Sequence, residues 1–195
     1  MKLKRRIPIL LLSATILLVA ACSADDIVIS GTGSRGLPYD PSIVRYVMSQ
    51  GDMPLELHGN PSNLPDRSFV ELVETRLKID PFFGSLAFRT QAQMRNAHSF
   101  RVVLVFSTSV SRVDPGRICR RDLPTNATPG AALYVAGAFC DRDKALSGNT
   151  ALANLPSTFD DPIVQRLLDQ LILEMLPPEG KRNIDESCPP PTNCS

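Results

Sequence analysis

The chain has 195 residues, of which 43% are hydrophobic and 21% charged, and its formal net charge is +1. This length and apolar fraction suffice for one domain with an ordinary core. Four of the 21 basic residues fall within the first six positions, so the remainder carries 17 basic against 20 acidic side chains. That balance does not support a basic nucleic-acid-binding face, and we expect no nucleic acid partner.

The N-terminus carries four positive charges, an apolar run over residues 7–18, and then Val19-Ala20-Ala21-Cys22. This layout is typical of a bacterial export signal. The last four residues resemble the lipobox of bacterial lipoproteins, and the resemblance covers only the first 22 residues. It implies that residues 1–21 are a cleaved signal peptide and that Cys22 carries a diacylglycerol and a palmitate.

Two alternatives compete with this interpretation of the leader. A membrane-spanning helix needs about 20 apolar residues, whereas this run is shorter and is interrupted by Pro8 and Ser13. An ordinary signal cleavage site also fits Val19-x-Ala21, but it would leave five cysteines in an oxidising compartment and therefore one free thiol. Lipidation of Cys22 leaves four cysteines, which can all pair.

The lipoprotein resemblance also implies a location. A doubly or triply acylated chain is anchored stably to a bilayer, so we expect the membrane to be a partner through the lipid. Ser23, and not Asp, follows the lipid cysteine, which resembles the outer-membrane default of Gram-negative sorting. The expected location is the cell envelope, at the outer membrane and facing the periplasm.

Four further cysteines predict two structural disulfides. Cys119 and Cys140 are 21 positions apart, and Cys188 and Cys194 are six apart. Four cysteines allow three pairings; we expect Cys119–Cys140 and Cys188–Cys194, because each closes the shorter loop. The sequence has no Cys-x-x-Cys and two histidines, His58 and His98, so we expect neither a metal site nor a cofactor.

Residues 22–38 are mostly small and polar, and we expect a flexible tether there. Gly31, Gly33 and Gly36 match a dinucleotide-binding pattern, but Leu37-Pro38 follows where that pattern requires a helix. A single domain is predicted over residues 39–178, followed by a proline-rich tail at 179–195. Helices are predicted at 41–50, 65–78 and 162–176, and strands at 54–58, 85–91, 100–106 and 131–140.

This order predicts an α+β fold: a two-layer sandwich in which a mixed sheet of about four strands carries two or three helices. The strand at 100–106 is nearly continuous in apolar residues and is expected to be central. Asp-Pro pairs at Asp40 and Asp161 predict helix starts.

His58 ends a predicted strand before Gly59-Asn60-Pro61, a position where active sites often lie. A hydrolytic arrangement with Ser62 or Ser68 and Asp66 or Asp80 would be a candidate, but no G-x-S-x-G elbow exposes a nucleophile. The alternative is a strand-edge histidine bonded to the backbone. We therefore expect no catalytic residue.

Arginines cluster after the expected central strand, at Arg112, Arg117, Arg120 and Arg121. They could hold an anion, although Asp114 and Asp122 offset two of them and an internally paired loop is the alternative. The candidate ligand site therefore comprises His58, Asn60, Arg117, Arg120 and Arg121.

These features favour a non-catalytic accessory or binding domain with an envelope protein partner. The alternative is a cell-envelope hydrolase that uses His58. The oligomeric state does not follow from the sequence.

Overall fold

The computed structural model of the chain describes residues 27–30, 37–77, 87–90, 100–108, 113–123 and 130–178. Three of its helices begin at an Asp-Pro pair, in which the aspartate side chain accepts a backbone N–H of the first turn and the proline occupies the first helical position. They are α1 (Pro41–Gln50), α3 (Pro115–Cys119) and α4 (Pro162–Met175). A fourth helix, α2 (Asp66–Arg76), starts after Pro65 without a side-chain cap.

Six strands form one mixed sheet in the described residues. They are β1 (Val28–Ser30), β2 (Met53–His58), β3 (Phe88–Arg89), β4 (Phe100–Ser107), β5 (Ala132–Asp141) and β6 (Lys144–Asn154), in the order β1-β6-β5-β4-β2-β3. β2 runs parallel to both β3 and β4, whereas the β4–β5, β5–β6 and β6–β1 pairs are antiparallel. The predicted α+β class and mixed sheet are confirmed, and β4 lies inside the sheet as expected.

The predicted number of elements is wrong: the described residues contain six strands and four helices, against about four strands and two or three helices. β6 and α3 had not been predicted at all. β1 lies within the stretch expected to be a tether, and it pairs through Val28 with Leu152 of β6. The two-layer arrangement of the expected sandwich stays a prediction.

Alternating residues of β4 divide between two hydrophobic clusters. Val102 and Leu104 belong to the larger cluster, which contains the buried sides of α1, α2 and α4. Val103 belongs to the smaller one, with Ile118 of α3. Because successive side chains of a strand point to opposite faces, the short helix α3 lies on the face opposite the three longer helices.

A disulfide between Cys119 and Cys140 fastens α3 to β5, and this confirms the predicted pairing. Both cysteines are fully buried in the smaller cluster. The two cysteines are 21 positions apart, and closing that loop stabilises the fold by restricting the unfolded chain. The other predicted pair, Cys188–Cys194, lies outside the described residues, as does Cys22.

Candidate functional site

The face of the sheet beneath α3 carries a carboxylate and an imidazole from the same strand. Glu56 and His58 are two residues apart on β2, so their side chains point to the same face. His58 Nε2 lies 2.7 Å from Glu56 Oε1, and the two side chains are 30% and 19% exposed. The structure therefore places His58 at the end of a strand, as predicted, but beside a partner that the sequence analysis had not named.

Two guanidinium groups bind the same carboxylate. Arg101 of β4 donates from Nε to Glu56 Oε2 at 2.9 Å. Arg121, which follows α3, donates from Nε to Oε1 at 2.7 Å and from Nη2 to Oε2 at 3.0 Å. The second contact is bidentate, the geometry in which arginine binds a carboxylate most strongly. Glu56 therefore receives donors from β2, β4 and the segment after α3.

Besides Glu56, Arg101 binds two backbone carbonyl groups. Its Nη2 donates to the carbonyl oxygen of Cys119 at 2.8 Å, and its Nη1 donates to the carbonyl oxygen of Arg142 at 2.9 Å. Cys119 is the last residue of α3, and Arg142 lies in the tight turn between β5 and β6. One guanidinium thus joins the sheet, α3 and the β5–β6 turn.

The pKa of Glu56 reflects this surrounding charge. Burial alone would raise the pKa, but hydrogen bonds from Arg121 and His58 and the charges of Arg121 and Arg101 outweigh burial and lower it from 4.5 to about 2. The carboxylate therefore stays ionised at neutral pH. Its proton is not available for general acid chemistry.

This arrangement is poorly suited to activating His58 as a general base. An orienting carboxylate stabilises an imidazolium with its negative charge, but here two guanidinium groups already neutralise that charge. In the part of the chain that the structure describes, no hydroxyl or thiol is hydrogen-bonded to His58. We call Glu56, His58, Arg101 and Arg121 the Glu56 cluster. The role that its contacts support best is to fix α3 onto the sheet.

In the turn before α2, Asn60 binds two of the residues considered as hydrolytic partners of His58, Ser62 and Asp66. Asn60 Nδ2 donates to the carbonyl oxygen of Leu64 and to Asp66 Oδ1, both at 2.9 Å. Ser62 donates its hydroxyl proton to Asn60 Oδ1. Ser62 and Asp66 are thus occupied by Asn60 and not by His58. Asp80 and His98 lie outside the described residues.

The predicted arginine cluster separates into three environments. Arg117 Nε binds Asp122 Oδ2 at 2.9 Å, and the hydrogen bond and charge of Arg117 lower the pKa of Asp122. Arg121 binds Glu56, as described above. Arg120 lines an adjacent cleft. Arg112 lies outside the described residues.

The candidate ligand site expected from the sequence comprised His58, Asn60, Arg117, Arg120 and Arg121. The structure brings His58 and Arg121 together through Glu56, whereas Asn60 serves its own turn. Asp122 offsets Arg117 as expected, but Asp114 caps α3 by accepting the backbone N–H of Arg117 at 3.1 Å.

The cleft beside Arg120 has a volume of about 400 Å³. Its walls come from α3, from the start of β6 and from the segment that precedes α1. The lining residues are Leu37, Pro38, Asp114, Pro115, Gly116, Arg120, Asp143, Lys144 and Ala145. This volume lies in the range of small-molecule sites.

Sequence reasoning missed Glu56 and Arg101. A signal for Glu56 was present, because the period of two in a strand puts residues 56 and 58 on one face. No comparable signal existed for Arg101, whose contacts depend on how β4 pairs with β2 and on where α3 docks.

The described residues contain no group of three or more histidine, cysteine, aspartate or glutamate side chains that could hold a metal ion. Within the same ranges, no helix has the length and apolar character that crossing a bilayer requires. Comparison of the chain with models of protein families, with curated proteins and with solved structures gives no match.

Proposed function

We propose that this chain is a lipid-anchored, non-catalytic accessory or binding domain of the bacterial cell envelope, attached through Cys22 to the outer membrane and facing the periplasm. The buried Cys119–Cys140 disulfide is the observation that carries the proposal. Structural disulfides persist in oxidising compartments such as the periplasm. The disulfide thus supports export, which the leader predicts independently.

The Glu56 cluster supports the non-catalytic part of the proposal. An envelope enzyme would need a nucleophile or a proton donor near its operating pH. Glu56 is held ionised by Arg101 and Arg121, and the hydrogen bond of His58 goes to that neutralised carboxylate. These side chains fix α3 in place.

Metabolic labelling with radioactive palmitate tests the anchor. The wild-type chain should be labelled and should fractionate with outer membranes. The Cys22→Ser variant should be unlabelled and should leave that fraction. Cys194→Ser is the matched control, because it removes a cysteine outside the leader and should keep the label. An unlabelled wild-type chain, or a chain recovered from the cytosol with its leader uncut, would refute the proposal.

Affinity purification from cross-linked envelopes tests the accessory role. A protein partner should be recovered in stoichiometric amount with the wild-type chain. Recovery of neither a protein nor a small ligand would contradict the assignment as an accessory or binding domain.

The second candidate is a cell-envelope hydrolase that uses His58, and it is favoured by one contact. Glu56 lies 2.7 Å from His58 Nε2, as the orienting carboxylate of a hydrolytic site would. His58→Ala separates the two candidates in assays with peptidoglycan and ester substrates. The leading proposal predicts no turnover by either protein, whereas turnover that is lost on substitution would establish the hydrolase.

A further inference from the structure

We propose that the cleft beside α3 binds a zwitterionic ligand of amino-acid or dipeptide size. Arg120 and Lys144 would take its carboxylate, and Asp143 would take its ammonium group. The inference deepens the proposed binding function by giving the ligand its chemical class. It does not depend on the lipid anchor.

The first observation is that charges of both signs line the cleft without pairing. Among the described residues, no hydrogen bond and no ion pair within 4 Å is made by the side chain of Arg120, Lys144 or Asp143, although the charge of Asp143 acts on Arg121 and that of Arg120 on Asp122. The neighbouring cluster contrasts with this, since Arg117, Arg121 and Glu56 are all paired. A ligand that carries both a cation and an anion can bind all three groups, whereas a simple anion would face Asp143.

The second observation is that the other acid of the cleft also serves the helix. Asp114 accepts the backbone N–H of Arg117 as the cap of α3. Asp143 makes no such contact with the backbone, so we assign the ammonium group to it. Leu37, Pro38 and Pro115 add apolar wall on which a small side chain can pack.

The third observation is that the walls of the cleft are fixed before any ligand arrives. The Cys119–Cys140 disulfide holds α3 to β5. Arg101 donates to a carbonyl oxygen at the end of α3 and to another in the β5–β6 turn, so it spans the two walls that bear Arg120 and Lys144. Prearranged groups raise affinity because little motion is lost on binding.

Two glycines lie in or against the helix that forms one wall of the cleft. A Cβ at Gly148 of β6 would lie 2.5 Å from Pro115 Cγ, so its absence lets α3 pack directly against the strand. A Cβ at Gly116 would lie 2.9 Å from Asp114 Oδ1 and 3.3 Å from Arg120 Nη1. The carboxylate of Asp114 and the guanidinium of Arg120 therefore both lie over the first turn of α3.

Isothermal titration of the full chain, purified in detergent, with alanyl-alanine tests the inference. Binding should be saturable with one site. N-acetyl-alanyl-alanine lacks the ammonium and alanyl-alanine amide lacks the carboxylate, so each should bind about tenfold more weakly or worse, because a charge-assisted hydrogen bond is lost.

Variants then locate the site. Arg120→Ala and Lys144→Ala should each weaken alanyl-alanine by about tenfold without changing the weak binding of the amide. Asp143→Asn should make the acetylated and free peptides bind alike. Arg67→Ala is the control, because Arg67 lies on α2 in an exposed pair with Glu71 and should change nothing.

Three outcomes would overturn the inference: no binding of alanyl-alanine, equal binding of the acetylated peptide to the wild-type chain, or insensitivity to Arg120→Ala. The second would make the cleft a simple anion site. Palmitate labelling reads out the anchor separately, so failure of this site and failure of the anchor are distinguishable.

Discussion

Glu56 binds three other side chains on the face of the sheet that α3 covers. It is bound by His58, Arg101 and Arg121, which come from two strands and from the segment after α3. Arg121 adopts a left-handed backbone conformation, with φ of +59°, which a non-glycine residue adopts at a cost of about 1–2 kcal/mol. The bidentate contact with Glu56 offsets that cost, so the conformation of the backbone and the ion pair depend on each other.

Glu56→Gln should lower the free energy of unfolding by about 2 kcal/mol at pH 7, because the largely buried Arg101 and the exposed Arg121 both lose their counter-charge. The loss should depend on pH. The pKa of Glu56 is lowered in the folded state, so its stabilising contribution is complete above pH 4.5 and is lost as the pH falls towards 2. The difference between wild type and variant should therefore shrink over that interval.

Urea unfolding of both chains at a series of pH values measures this difference. Glu71→Gln is the control, since Glu71 is exposed in an i,i+4 pair with Arg67 and should change stability by less than about 0.5 kcal/mol. A difference for Glu56→Gln that stays constant between pH 7 and pH 2 would contradict the proposed role of the carboxylate charge.

Gly59 lies where the chain leaves β2 and cannot carry a side chain. Its φ is +77°, and a Cβ would lie 2.3 Å from the carbonyl oxygen of Phe106 in the neighbouring strand β4. Because the obstacle is backbone, it cannot rotate away. Gly59→Ala should lower the free energy of unfolding by about 3 kcal/mol or more.

Gly51→Ala is the matched control for Gly59→Ala. Gly51 also has a positive φ, of +143°, but nothing lies within 4 Å of the position that a Cβ would take. Its substitution should therefore show the strain of the backbone alone, about 1–2 kcal/mol. Equal losses for the two variants, measured by thermal or urea unfolding, would show that the contact with Phe106 does not matter.

At the scale of elements, β6 shows why part of the fold was not predictable from the sequence. Its eleven residues include one β-branched residue, Thr150, and it buries three polar side chains, Ser147, Asn149 and Thr150. Propensity and hydropathy therefore both argue against a strand. β6 forms because β5 and β1 pair with it on either side, an interaction that local sequence does not encode.

α3 was missed for a different reason. Asp114-Pro115 is the same start signal that predicted α1 and α4 correctly at Asp40 and Asp161, but the arginines that follow were interpreted as a loop. The long apolar elements β4 and α4 were predictable because their burial and their sequence pattern agree. The Glu56 cluster was not predictable from the sequence, since it depends on where the short helix α3 docks.

Replacement of both Cys119 and Cys140 by alanine should lower the free energy of unfolding by about 3 kcal/mol, the loop-closure value for about 21 residues. α3 should stay docked, because Arg101 and Arg121 still bind it to the sheet. Urea unfolding of the oxidised chains measures the loss of stability. If α3 stays docked, the stability of the variant should still fall between pH 4.5 and pH 2, as the ionised Glu56 requires. Under a reductant strong enough to open the bond, wild type and variant should unfold alike. Equal stability of the oxidised chains would contradict the prediction.

At the scale of the whole molecule, the described chain enters the sheet far from the candidate ligand cleft. β1 pairs with the C-terminal half of β6 through Val28 and Leu152, whereas Lys144, which lines the cleft, begins β6. Lys144 and Leu152 are eight positions apart along the strand, which is about 26 Å. Ile27 follows Cys22 by five positions, a stretch of chain that can span at most about 18 Å. A lipid on Cys22 would therefore hold the β1 end of the sheet near the bilayer and turn the cleft away from it.

Fluorescence quenching in vesicles tests this orientation. A fluorophore on Leu155→Cys, just past β6, should be quenched more strongly by lipids with spin-labelled headgroups than one on Arg142→Cys, at the β5–β6 turn. The expected ratio of quenching is large, because nitroxide quenching falls off over distances much shorter than the length of β6. The same labels on a Cys22→Ser background should show no quenching, which controls for adsorption of the domain. Equal quenching at the two positions would contradict this orientation. Stronger quenching at residue 142 would mean that the cleft faces the membrane, and its ligand would then have to be sought at the bilayer surface.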